Sequence, residues 1–108
     1  MTENVGGPLS PQQAAEYRQE YREGADLFQR ALVQYSEADE VHKQAAIEKV
    51  MNQALMVMNQ AAAQLKSSTL TSTNEKIAQD YQTYQTTHSP AAIAKLNRDL
   101  DEAKNASL

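Results

Sequence analysis

The sequence predicts an all-α protein, and three observations lead to this prediction. Apolar residues recur at spacings of three and four along most of the chain, and no segment alternates apolar and polar residues as a strand does. Glycine and proline number only three each in 108 residues, which favours long helices. The expected architecture is an antiparallel helical hairpin extended to a three- or four-helix bundle, with the 40–66 helix central and helices at about 10–37, 40–66, 73–86 and 90–105.

Capping residues mark the start of the first helix. Ser10-Pro11-Gln12-Gln13 supplies an N-cap hydroxyl, a proline at the first helical position and a glutamine three residues after the cap. The preceding segment, 1–9, contains Gly6-Gly7-Pro8 and is expected to be a disordered N-terminal lead. Residues 10–108 are then expected to form a single helical domain.

One face of the first helix alternates large and small side chains. Two neighbouring rows recur every seven residues, a large row of Tyr21, Phe28 and Tyr35 and a small row of Gly24, Ala31 and Ala38. Such rows suit close contact with another helix. A helical glycine costs about 1 kcal/mol relative to alanine, so we expect close approach of a second backbone to compensate at Gly24. A local kink at Gly24 is the alternative.

The connection between the first two helices contains neither glycine nor proline. Ser36–Asp39 and Asp39–His42 both offer N-cap chemistry, so a hairpin turn is predicted near 36–41. The alternative is one unbroken helix over 10–66, which would be about 85 Å long at 1.5 Å per residue.

The second helix is largely apolar and contains the pentapeptide Val-Met-Asn-Gln-Ala twice, at 50–54 and 57–61. Its apolar residues form two stripes, one of Ile47, Val50, Ala54, Val57 and Ala61 and one of Met51, Leu55, Met58, Ala62 and Leu65. One helix–helix seam needs only two positions in seven, so this helix is expected to pack on at least two sides. Met56 falls on neither stripe and is expected to be the hardest apolar side chain to bury.

The second half of the chain predicts two shorter helices. Ser67–Asn74 is expected to be a polar linker, and the pattern Ser72-x-x-Glu75 predicts a capping box that opens the third helix. His88-Ser89-Pro90 ends that helix and starts the fourth. Lys95 and Asp99, four residues apart, are expected to pair on the solvent face of the fourth helix.

The sequence shows no pattern of catalytic or metal chemistry. Cysteine is absent, which excludes disulfides, a thiol nucleophile and a thiolate metal site. His42 and His88 lack a metal-ligand spacing, and the glycines do not form a phosphate-binding loop. We therefore expect a protein that is not an enzyme and that uses no cofactor and no metal.

Charge and hydropathy narrow the classes of partner. The net charge of −4, with both signs interspersed, gives no basic surface for nucleic acid or anionic lipid. No apolar run approaches the ~18 residues of a membrane span. The N-terminus, MTENVGGPL, lacks the basic and apolar regions of a secretory signal. A cytoplasmic protein is expected, with export that needs no cleaved signal as the alternative.

Aromatic and methionine side chains are the candidate partner contacts. Tyrosine is favoured where one end of a side chain is apolar and the other wet, and methionine adapts to varied surfaces. We expect another protein, or a second copy of the chain, to contact Tyr17, Tyr21, Phe28, Tyr35, Met51, Met56 and Met58. The alternative is that the tyrosines surround the core of a small bundle.

Two segments resemble known helical families. The segment 77–107, with its polar turn Thr86–Pro90 followed by Ala-Ile-Ala-Lys-Leu, resembles small helical type III secretion proteins of the needle-subunit or needle-chaperone type over under a third of the chain. The segment 23–32 is similar to the second helix of a tetratricopeptide repeat, with Phe28 and Ala31-Leu32 in the family's places. Both resemblances imply helical interaction proteins, and neither implies a functional residue.

The expected function is therefore a non-enzymatic protein–protein interaction module, a helical adaptor or chaperone-like protein that acts through an apolar helix face. The alternative is a structural subunit of a secreted or self-assembling helical complex, such as a component of a secretion apparatus.

Overall fold

The computed structural model describes residues 9–106, which form four α-helices: α1 (Pro11–Glu37), α2 (Val41–Leu65), α3 (Ser68–Thr87) and α4 (Pro90–Lys104). This part of the chain contains no β-strand. The all-α prediction is confirmed. Residues 1–8, most of the predicted N-terminal lead, lie outside the described residues.

The helices pack in a ring, with each helix against two neighbours. α1 contacts α2 and α4, and α3 contacts the same two helices, so α1 and α3 lie on one diagonal. Contacts along each seam show that neighbours run antiparallel; Tyr35 of α1 meets Glu48, whereas Gly24 meets Met58. The result is an up-down-up-down bundle 52 Å long. α2 is packed on two sides, as its wide apolar face predicts.

The start of α1 follows the sequence prediction atom by atom. The Ser10 hydroxyl accepts a hydrogen bond from the Gln13 amide at 3.1 Å, and the Gln13 side chain accepts one from the Ser10 amide at 3.1 Å. Pro11 occupies the first turn, where no intrahelical amide partner exists. This capping box fixes the helix start.

The hairpin between α1 and α2 is confirmed, since α1 ends at Glu37 and α2 begins at Val41. The predicted caps are not the ones used. Ser36 donates its hydroxyl to the Val33 carbonyl at 2.8 Å, within α1, and Glu40 occupies the N-cap of α2 without a side-chain hydrogen bond. The Gln44 side-chain amide instead donates to the Ala38 carbonyl at 3.0 Å and links α2 to the turn.

The predicted linker at 67–74 is wrong, because α3 begins at Ser68. Lys66 adopts a left-handed conformation with φ of 54° and ends α2. The Ser67 hydroxyl then caps α3 by accepting from the Leu70 amide at 3.1 Å, so Ser72 lies inside the helix instead of capping it. Burial of Leu70 in the core stabilises the earlier start.

Gly24 lies at a close approach between α1 and α2, and α1 continues through it without interruption. A Cβ atom at this position would lie 2.9 Å from Met58 Cγ and 3.2 Å from the Ala54 carbonyl oxygen. The close-approach interpretation of Gly24 is therefore confirmed. Phe28 is fully buried in the core, and its ring packs edge-on against the Tyr81 ring with the two centroids 5.1 Å apart.

Candidate interaction surface

Most of the predicted partner contacts are core residues in the folded chain. Five of the seven lie buried where α1, α2 and α3 pack together: Tyr21, Phe28, Tyr35, Met51 and Met58. In this conformation these five offer no surface to a partner. Tyr17 is half-buried against the core, whereas Met56 is 57% exposed. Met56 is thus the predicted contact that the fold leaves most accessible.

Met56 lies at the centre of what we call the α2 outer surface: Asn52, Gln53, Met56, Asn59, Gln60 and Ala63. All six residues are exposed, and at 3.6 residues per turn they lie on the side of α2 opposite the buried Met51 and Met58. The sequence contains no charged residue between 50 and 65. The α2 outer surface is therefore solvent-exposed, uncharged and helical.

An apolar edge joins this surface at the outer side of the α1–α2 seam. Leu27 is 39% exposed and Val50 is 37% exposed. Leu27 lies one turn after Gly24 and Val50 one turn before Ala54, and these two turns are in contact. Because the helices are antiparallel, Leu27 and Val50 both lie along this part of the seam. The edge extends the uncharged area toward α1.

The α1–α4 side of the bundle differs in kind from the α2 outer surface, because it is charged. Asp26 pairs with Arg30 at 3.0 Å and lies 3.9 Å from Lys104. Gln29 donates to Asp101 at 2.9 Å across the same seam. Charged residues are depleted at the centres of protein–protein interfaces, where they would lose their hydration. The α2 outer surface lacks the charged residues that are depleted at interface centres, whereas the α1–α4 side carries them.

A buried hydrogen-bond chain crosses the bundle and ends on this surface. The Tyr21 hydroxyl donates to Asn74 Oδ1 at 2.9 Å, and Asn74 Nδ2 donates to Asn59 Oδ1 at 3.0 Å. The chain links α1, α3 and α2 and orients the Asn59 amide. Burial, with a smaller contribution from the charge of Glu102, raises the pKa of Tyr21 to about 12. The phenol therefore remains a donor at neutral pH.

The sequence interpretation missed this hydrogen-bond chain because it placed Asn74 in a linker. The available signal was helical spacing: Leu70, Asn74, Ile77 and Tyr81 recur at four, three and four residues. This spacing places the amide on the apolar face of α3, where it needs a partner.

Replacing Asn74 by alanine is expected to lower the free energy of unfolding by about 1–3 kcal/mol, because the buried Tyr21 hydroxyl loses its acceptor. Urea denaturation measures the effect. In a Tyr21→Phe background the same substitution should cost clearly less, since no hydroxyl remains to be left unpaired. An equal cost in both backgrounds would show that the hydrogen bond does not carry the effect.

A second polar cluster holds one end of the bundle. The Glu48 carboxylate accepts from the Tyr35 hydroxyl at 3.0 Å and from the Gln85 amide at 3.1 Å. His88, in a left-handed conformation at the end of α3, stacks on the Tyr35 ring with centroids 6.2 Å apart. Burial, followed by the hydrogen bond and charge of Glu48, raises the pKa of Tyr35 to about 12. These contacts join α1, α2 and α3.

Two carboxyl groups face each other where α3 packs on α4. Asp80 is 8% exposed and Asp99 is 7% exposed, and Oδ2 of each is buried without a hydrogen-bond partner. Lys95 lies 3.5 Å from Asp80, so the predicted pairing of Lys95 with Asp99 on the solvent face is wrong. Burial, then the hydrogen bond and charge of Asp80, raises the pKa of Asp99 to about 7, although Lys76 opposes the shift. Below about pH 7 the Asp99 carboxyl therefore holds a proton.

Asp80 and Asp99 do not form part of a larger metal-binding cluster, since residues 9–106 contain no group of three or more His, Cys, Asp or Glu able to hold a metal ion.

Within the same range, no helix combines the length and apolarity needed to cross a membrane.

Comparison with protein-family models, with curated proteins and with solved structures found no match to this chain. The resemblances of 77–107 and 23–32 stay predictions. The α2 outer surface is therefore interpreted from the chemistry of its own residues.

Proposed function

We propose that this chain is a non-enzymatic protein–protein interaction module, of the helical adaptor or chaperone-like kind, and that its contact surface is the α2 outer surface. One observation carries the proposal. A complete face of α2, centred on the exposed Met56, is free of charge, whereas the α1–α4 side carries ion pairs. Uncharged amides and a methionine lose little on dehydration compared with lysine or glutamate.

The rigidity of the surface supports the proposal. Its residues lie on one helix that packs against two neighbours, and Asn59 is held by Asn74. A partner therefore binds side chains whose backbone is already ordered, which lowers the entropy cost of association. A partner helix with an uncharged or apolar face suits this geometry.

A self-assembling structural subunit is the second candidate function, and a specific observation favours it. The repeated pentapeptide places one asparagine and one glutamine on either side of Met56 along the α2 outer surface: Asn52, Gln53, Asn59 and Gln60. A surface that repeats along its own length can bind a copy of itself.

Photo-crosslinking from position 56 tests the proposed surface. A photoreactive amino acid replaces Met56 in one variant and Gln82, an exposed and uncharged residue of α3, in the matched control. Both variants are expressed in cells that produce the protein. We expect discrete adducts from position 56, lost when Gln53→Glu places a charge beside it, and no such adducts from position 82.

The adduct mass distinguishes the two candidate functions, because a doubled mass identifies self-assembly and any other mass identifies a different protein. Equal labelling from both positions, or adducts from position 56 that persist with Gln53→Glu, would contradict the proposed surface. Circular dichroism of each variant checks that the helices remain intact.

A further inference from the structure

The repeated pentapeptide has a geometric consequence on the α2 outer surface. Seven residues of α-helix turn by about 700°, so residues one heptad apart lie on nearly the same side of the helix. Asn52 and Asn59 therefore share one flank of the line through Met56, and Gln53 and Gln60 share the other. Along the helix axis, Asn52 lies about 6 Å before Met56 and Asn59 about 4.5 Å after it.

This placement makes the surface self-complementary under one symmetry operation. Consider a two-fold axis at the level of Met56 that lies in the plane of contact and runs across α2. This axis places a second copy face to face with the first and antiparallel to it. Positions along the helix are reversed, and each flank of one copy faces the same flank of the other. Asn52 then lies opposite Asn59 of the second copy, and Gln53 lies opposite Gln60 of the second copy. The two Met56 side chains meet at the axis.

Side-chain chemistry agrees with this arrangement. Each carboxamide has a donor and an acceptor, so two asparagines or two glutamines can pair reciprocally. Asn74 uses one lone pair of the Asn59 oxygen, so the second lone pair and the NH₂ group of Asn59 are left for such a pairing. Methionine is flexible enough to pack against itself at the axis.

Charged residues lie away from the centre of the contact. Lys49, the nearest charged residue of the exposed face, lies seven residues from Met56. The two copies of Lys49 are therefore about 20 Å apart, beyond the ~8 Å Debye length at physiological salt. The same face on α1 or α4 would bring ion-paired side chains together.

We propose that a second copy of this chain occupies the α2 outer surface, antiparallel to the first and related to it by a two-fold axis at Met56. This inference rests on the proposed function, because it names the partner of the same surface. The contact is isologous, so it closes after two copies. From Asn52 to Ala63 the face is about 17 Å long and about 10 Å wide, so the contact buries far less than the about 1,200 Å² of a stable interface, and we expect weak, concentration-dependent dimers.

Single cysteines test the arrangement cleanly, because the natural chain contains none. Met56→Cys is expected to form a disulfide-linked dimer under mild oxidation. Asn52→Cys alone and Asn59→Cys alone are expected to remain monomeric, since like positions lie more than the ~7 Å Cα limit of a disulfide apart. An equal mixture of the last two is expected to give the cross-linked dimer. Gln82→Cys is the control on α3 and should not cross-link.

Light scattering across a hundredfold concentration range accompanies the cross-linking. Met56→Glu places two like charges at the axis and is expected to weaken dimerisation at least tenfold, whereas Gln82→Glu should leave it unchanged. Cross-linking of Asn52→Cys alone, with sensitivity to Met56→Glu, would overturn the antiparallel arrangement and leave the proposed surface intact.

Two other outcomes separate the inference from the proposed function. A constant monomer mass at every concentration, with no cross-link from Met56→Cys, would overturn the second-copy partner alone, and photo-crosslinking from position 56 would still test the surface. Dimers that neither Met56→Glu nor Gln53→Glu weakens would also overturn the second-copy partner alone, because their contact would lie on another face; the proposed surface itself fails if position 56 gives no adducts beyond those of position 82.

Discussion

Replacing Asp99 by asparagine is expected to stabilise the folded chain at any pH above about 7, the value to which burial and Asp80 raise the Asp99 pKa. The unfolded chain releases this proton near the ordinary value of 3.8, so between 3.8 and about 7 the folded state binds more protons than the unfolded state. Stability therefore falls as pH rises through this interval and levels off above it. Asparagine stays neutral and keeps a donor for Asp80, so it removes this loss.

The expected gain in the free energy of unfolding follows from the same shift in the Asp99 pKa. Each unit of pKa corresponds to 1.36 kcal/mol, so the loss in the natural chain amounts to at most about 4 kcal/mol. Other carboxyl groups also titrate in this interval, and the difference between variant and natural chain isolates the contribution of Asp99. Urea denaturation at a series of pH values measures that difference.

The control for Asp99→Asn is Glu20→Gln, which neutralises an exposed carboxylate on α1. Its difference from the natural chain should vary little with pH over the same interval. A difference for Asp99→Asn that is equally flat, or a variant less stable than the natural chain above about pH 7, would show that the pKa of Asp99 is not raised in the folded chain.

Local rules predicted the features of the fold that depend on neighbours in sequence. The capping box at Ser10 and Gln13 and the proline at the start of α4 satisfy helix ends with residues three or four positions away. The spacing of Tyr21, Phe28 and Tyr35 identified the buried face of α1 for the same reason. These features need no knowledge of the rest of the chain.

The start of α3 could not be predicted in this way. Ser67 and Ser72 both offer N-cap chemistry, and the sequence between them is polar except for Leu70. The choice depends on Leu70 and Asn74, which gain a core position and a partner only once α1 and α2 are in place. Tertiary contacts decide between two locally equivalent starts.

The candidate surface shows the same limit. The sequence identified Met56 as the apolar residue outside both stripes of α2, and that residue is exposed. Tyrosine and methionine occur in cores as well as in interfaces, so residue type alone could not place Tyr21 or Met58. Their burial depends on tertiary contacts, of Tyr21 with Asn74 of α3 and of Met58 with Gly24 of α1.

Replacing Gly24 by leucine is expected to lower the free energy of unfolding by about 3 kcal/mol or more, at the upper end of the cost of overpacking a core. The first added atom would lie 3.2 Å from the Ala54 carbonyl oxygen and 2.9 Å from Met58 Cγ. Met58 is fully buried and the carbonyl belongs to the α2 backbone, so relief requires the two helices to separate. The gain of about 1 kcal/mol in helix propensity cannot compensate for this separation.

Glu23→Leu is the matched control for Gly24→Leu, since it adds the same side chain at the adjacent, exposed position and should change stability little. Gly24→Ala is the intermediate case. Alanine has the better helix propensity, whereas its methyl group would lie too close to Met58 and to the Ala54 carbonyl. We expect stability to fall in the order natural chain, Gly24→Ala, Gly24→Leu, as measured by thermal and urea denaturation. Gly24→Leu with the stability of Glu23→Leu would contradict the close approach of α1 and α2.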